Sequence, residues 1–261
     1  MIGIFDSGLG GLSVLSAVAR GSPNADLVYL ADTAHLPYGN KSDEFICARV
    51  LAIGRHLIER GCGTLVVACN TATAAALSAL RGRHPGIPVV GVEPGVKPAA
   101  AASRSGAIAV LATESTAGSA RLSALIRAHA GGVAVHVAAC PGWATRVETL
   151  QPLDADPQFA AEVAAKVLPL LDAGIDRLVL GCTHYSFLAP LIARQVAGRA
   201  ELVDVADAVA RQVLRLSDGA GSGRLELLAT ATPERLDAAL PALGLGWLAA
   251  RVGGAAQLAE I

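Results

Sequence analysis

Short apolar, β-rich runs alternate with helix-patterned runs along this chain, and few folds accept that order. The β-rich runs are IGIFD at 2–6, DLVYLAD at 26–32, TLVVACN at 64–70 and PVVGVE at 88–93. Between them, GGLSVLSAVARG and SDEFICARVLAIGRHLIERG space apolar residues at helical intervals and stop at glycine, a common helix end. Strand, helix, strand in repetition predicts a mainly parallel sheet with helices over both faces.

The pattern restarts after a Pro- and Ala-rich joint, EPGVKPAAAASRSG at 93–106, with strands expected in AIAVLAT (107–113), GVAVHVAAC (132–140) and DRLVLGCT (176–183). IGIFDSG corresponds to IAVLATES, and the strand leading to Cys69 corresponds to the one leading to Cys182. Each pair lies roughly a hundred residues apart, too long a period for a solenoid. The expectation is α/β: two pseudo-symmetric domains, each a mainly parallel sheet flanked by helices, with the active site in the cleft between them. The first takes residues 1–95 and about 208–261, the second about 96–207. A last strand is expected in LELLATA at 225–231, then a helix capped by Thr232 with Pro233 at its first position.

Composition narrows the partner. Charged residues make up 16% of the chain and the formal net charge is -1, so no basic footprint for nucleic acid is expected. Every apolar stretch is cut by Gly, Pro, Asp, Asn or Arg before the roughly 20 residues that a bilayer core requires. The start, MIGIFDSGLGG, has no basic leader and carries Asp6, which predicts a cytoplasmic protein. The five cysteines form no CxxC pair and the six histidines no HxH or HxxxH pair, so reduced thiols and no metal are expected. GLGG followed by Asp32 fits a dinucleotide fold poorly: Ser13 stands at the third glycine, and Asp6 would set negative charge beside the pyrophosphate.

Cys69 and Cys182 carry the chemistry expected here. Ligands of open parallel sheets bind outside the carboxyl ends of strands, where helix N-termini present N–H groups and partial positive charge. With Asn70 or Thr71 capping one helix and Thr183 the other, each sulfur would lie beside an N-terminal turn, a position that favours thiolate. Two thiols at equivalent places in duplicated halves suit one task in particular. Inverting a carbon centre requires a base on one face and an acid on the other, with their roles exchanged in the reverse direction.

GIFDSGLGGLSVL (3–15), ADTAHLPYG (31–39), VVACNTATA (66–74), PVVGVEPG (88–95) and LVLGCTHYSFL (178–188) together resemble glutamate racemases of the cofactor-independent aspartate/glutamate racemase superfamily. The resemblance implies interconversion of L- and D-glutamate without cofactor or metal, supplying D-glutamate for peptidoglycan. It also implies Cys69 as the base for D-glutamate and Cys182 as the base for L-glutamate, with Asp6 assisting the first thiol and Glu148 and His184 the second. Ser7, Pro37, Tyr38, Gly39, Asn70, Thr71, Thr116 and Thr183 would hold the substrate. The resemblance allows a homodimer. Departures lie at LATESTAGSARL (111–122) and at Val205, where the family usually has a small polar residue. The alternatives are a racemase of aspartate or another amino acid, and a two-domain binding protein for a small acid.

Overall fold

The structure is a computed structural model and describes residues 1–153 and 155–261. Elements in chain order are β1 (Ile2–Asp6), α1 (Leu12–Gly21), β2 (Leu27–Ala31), α2 (Asp43–Glu59), β3 (Thr64–Val67), α3 (Asn70–Arg83) and β4 (Val89–Gly91). There follow α4 (Val96–Ala102), β5 (Ala107–Ala112), α5 (Glu114–Ala117), α6 (Ala120–His129), β6 (Ala134–Ala139), α7 (Trp143–Glu148), α8 (Pro157–Asp172), β7 (Arg177–Leu180), α9 (Tyr185–Val196) and β8 (Glu201–Val203). The chain closes with α10 (Ala206–Leu216), β9 (Leu225–Ala229), α11 (Glu234–Ala242) and β10 (Gln257–Leu258).

Met1–Val92 and Ala206–Ile261 form one compact unit, and Glu93–Val205 another. The first contains a six-stranded sheet ordered β10-β9-β2-β1-β3-β4, the second a four-stranded sheet ordered β6-β5-β7-β8. All described pairings are parallel. Counted from its own first strand, each unit places its strands second, first, third, fourth, so β1 matches β5 and β3 matches β7. The registers agree: Phe5 pairs with Val67 as Leu111 pairs with Leu180.

Burial explains the strand composition. β1, β2, β3 and β7 are buried along their whole length, which is why they read as unbroken apolar runs rather than alternating ones. In α2, Ser42 accepts from Phe45 N at 3.2 Å and acidic Asp43 and Glu44 occupy the first turn, satisfying an orphan donor and the positive helix end. Its buried stripe, Ile46, Val50, Ile53 and Leu57, packs with Leu65, Val67, Leu77 and Leu80. In the second unit Val96, Ala99, Ile108, Val110, Leu122 and Val179 share a core. Fully buried Trp143 stands edge-on to Tyr185 and Phe159, with ring centroids 5.5 and 6.3 Å apart.

Two short strands and the start of the last helix differ from expectation. β8 and β10 have three and two residues, too few to show a period. Thr232 does not cap α11: it takes a left-handed turn at φ 51°, Pro233 becomes the N-cap, and the helix opens at Glu234. Among the described residues no helix is long and apolar enough to cross a membrane.

Candidate active site

In the first unit the strand ends gather Asp6, Ser7, the 36–40 turn and Cys69. Cys69 lies two residues beyond the end of β3, is 6% exposed and is itself the N-cap of α3. This corrects the expected cap: Asn70 and Thr71 are already helical, because extended backbone at Cys69 (φ -133°, ψ 123°) swings its own sulfur over the first turn. Sγ accepts from Ala72 N at 3.5 Å and lies 3.9 Å from Ser7 Oγ. Asn70 and Thr71 are buried beside it, and among the described residues Asn70 Oδ1 has no hydrogen-bond partner.

Asp6 is 1% exposed and holds the SGLGG turn, accepting from Ser7 N at 2.7 Å and Gly11 N at 2.5 Å. A Cβ at Gly11 would stand 2.7 Å from Asp6 Cβ and 3.0 Å from Tyr29 Oη, so glycine is needed there for close approach. In the 36–40 turn Pro37 and Gly39 are exposed, while Tyr38 is buried and donates to Asp32 Oδ2 at 2.6 Å. Burial foremost, with the neighbouring Asp32 charge, pushes the Tyr38 phenol far above its usual range, so it remains a donor.

In the second unit Cys182 stands two residues beyond the end of β7 and is 8% exposed. The N-cap of α9 is His184, without a side-chain cap bond, rather than Thr183. That register turns the imidazole back: Nδ1 lies 3.6 Å from Cys182 Sγ, and Nε2 lies 2.7 Å from Glu148 Oε1. Glu148 ends α7 and is itself buried. Burial alone would depress the His184 imidazolium, but its bonds to Cys182 and Glu148 hold it well above the ordinary histidine range. Protonated, it carries an N–H toward the Cys182 sulfur and another toward the Glu148 carboxylate. Thr116 and Thr183 are buried; Thr116 N donates to Thr113 Oγ1, the cap of α5, at 3.3 Å.

Burial pushes Cys62 up to about 11 and Cys140 up to about 12, so both stay protonated near neutral pH. Among the described residues no group of three or more His, Cys, Asp and Glu side chains could hold a metal. Sequence reasoning missed Arg49, which no motif contains, and took Asp32 only as a strand-end acid. Asp32 is 0% exposed and accepts from Tyr38 and Arg49. An acid closing an apolar strand and followed six residues later by tyrosine was the available signal.

The family model described as Asp/Glu/Hydantoin racemase matches residues 12–213. Glutamate racemase of Ectopseudomonas mendocina (strain ymp) is 49% identical over 88% of this chain and 84% of its own length. Glutamate racemase of Pseudomonas aeruginosa PAO1 is 44% identical over 93% of both chains. Among solved structures, Escherichia coli glutamate racemase in complex with L-glutamate and the activator UDP-MurNAc-Ala superposes with TM-score 0.87 at 30% identity, covering 100% of this chain and 98% of that one. Thermus thermophilus glutamate racemase in complex with β-chloro-D-alanine gives 0.81 at 34% identity, covering 100% and 96%.

Proposed function

This chain belongs to the Asp/Glu/Hydantoin racemase family, and from that premise we propose that it interconverts L- and D-glutamate by direct proton transfer at the α-carbon, supplying D-glutamate for the cell wall. The observation that carries the reading is the repeated placement of a thiol two residues past the third strand of two sheets of the same order.

In this reading Cys69 removes the α-proton of D-glutamate and Cys182 that of L-glutamate, and the opposite thiol returns a proton to the other face. The α-proton beside a carboxylate is a very weak acid, so the carbanion needs preorganised donors. One such donor is typically worth about 3 kcal/mol of barrier, and the first turns of α3 and α9 are the source here. His184, held by Glu148, sets an N–H beside the Cys182 sulfur. Asp6 fixes the turn carrying Ser7, beside Cys69. Asn70 Oδ1, a buried acceptor without a partner among the described residues, suits the substrate ammonium. The hydroxyls of Ser7, Thr71, Thr116 and Thr183 and the Pro37–Gly39 turn receive the two carboxylates. No step requires a metal or cofactor.

Glutamate incubated with the protein in deuterated water gains deuterium at the α-position as its optical rotation decays. An α-hydrogen left untouched by protein that binds glutamate supports the binding-protein alternative and overturns the proposal. Turnover of glutamate is expected to exceed that of aspartate and glutamine; faster turnover of aspartate overturns the substrate assignment.

A further inference from the structure

A buried charge network stands at the ligand end of β2 and includes neither thiol. Asp32 follows that strand directly. Arg49, from the middle of α2, grips it by two points, Nε to Oδ2 at 3.0 Å and Nη2 to Oδ1 at 2.8 Å. The third nitrogen, Nη1, donates to the Ile261 carbonyl at 2.9 Å. Tyr38 Oη donates to Oδ2 at 2.6 Å, Thr230 Oγ1 to Oδ1 at 2.8 Å, and His35 Nδ1 lies 3.0 Å from Oδ1. Although burial pushes the Asp32 carboxyl up, these bonds, with Arg49 foremost, hold it below the usual carboxylate range.

A desolvated ion pair contributes little net stability compared with an apolar pair of the same size. Its geometric effect is larger, because a guanidinium fork fixes a carboxylate in plane and orientation as lysine cannot. Here the oriented carboxylate determines where the Tyr38 hydroxyl points. Tyr38 packs in the same cluster as Cys69, and its neighbours Pro37 and Gly39 form the exposed face of the turn. The order of dependence is Arg49, Asp32, Tyr38, turn.

We infer that Arg49 is a positioning residue: through Asp32 it fixes Tyr38 and so holds the 37–39 turn in the geometry that receives substrate beside Cys69. The inference rests on the racemase reading above. Racemisation has an equilibrium constant of unity, so kcat/KM must fall equally in both directions when the turn loosens. Because the turn binds substrate and does not touch the α-proton, the fall belongs in KM.

The test compares wild type with Arg49→Lys, Asp32→Asn, Tyr38→Phe and the Arg49→Lys/Tyr38→Phe double variant on both glutamate enantiomers, with melting curves alongside. In Arg49→Lys, KM is expected to rise about tenfold for both enantiomers while kcat changes less than about threefold. With Tyr38 already phenylalanine, adding Arg49→Lys changes KM less than about twofold, since the two act along one path. An unchanged KM, a loss confined to kcat, or effects that multiply in the double variant overturn the inference. If Arg49→Lys does not fold, Asp32→Asn, nearly isosteric and uncharged, carries the same KM criterion and the same cycle with Tyr38→Phe. Failure of both to fold shows a purely structural pair and also overturns it. A wild type inert on glutamate overturns the racemase reading and this inference together, whereas an active wild type with an indifferent Arg49→Lys overturns the inference alone.

Discussion

Serine in place of Cys69 or Cys182 is expected to abolish glutamate racemisation, a loss of at least about 10³-fold, within the range that a positioned acid or base contributes. The hydroxyl lacks an accessible conjugate base near neutral pH, whereas a free thiol titrates near about 8.5. At Cys69 the structure separates chemistry from folding. The sulfur is the N-cap of α3, and serine is among the best N-cap residues, so Cys69→Ser retains the first turn and melts within a few degrees of wild type. The two variants differ in direction. With a substrate carrying a leaving group that departs after deprotonation, Cys69→Ser still processes the L form and Cys182→Ser the D form. Equal, partial losses with both enantiomers would count against two bases with separate faces.

In the two-base reading, His184→Asn is expected to lower turnover on the order of 10²-fold by removing the imidazolium beside Cys182, and Glu148→Gln is expected to lower it less. With the leaving-group substrate the His184→Asn loss appears with the L form and spares the D form; equal losses with both refute the assignment of His184 to Cys182. The pH dependence follows from the sign of the shift. His184 is held well above its ordinary value, so the stabilising contribution of its protonated contacts is fully present below the unfolded value of about 6.5. That contribution is lost as pH rises through the higher folded value. Glu148→Gln removes one of the contacts raising that value, so the alkaline limb of activity moves to lower pH, measured as kcat/KM against pH. A limb that stays in place or moves upward removes Glu148 from the chain of contacts.

Much of this architecture was legible because buried parallel strands cannot alternate: β1, β2, β3 and β7 appear as apolar runs wherever both faces are covered. The duplication was legible for the same reason, since a thiol follows the third run of each half. What escaped was short or distant. β8 and β10 present three and two residues. The Asp32 network joins residues 32, 35, 38, 49 and 230, a spacing that no local pattern records. The helix starts escaped because cap identity depends on backbone angles at one residue: extended geometry at Cys69 makes the sulfur its own helix cap, and a left-handed turn at Thr232 shifts the next helix by a residue.

The sheet order also sets the earliest point during synthesis at which the opening sheet can be completed. Strand β2 pairs with β9, Leu27 against Leu225, and β9 with β10, so the opening unit waits for chain made after Glu93–Val205 is complete. The uninterrupted unit is free to fold first, while β2 of the nascent chain keeps an open apolar edge, the kind that recruits foreign strands. A chain ending before β9 is therefore expected to be digested by protease within residues 1–92 while 93–205 resists, and uniform resistance would argue that the early strands mature without their late partner.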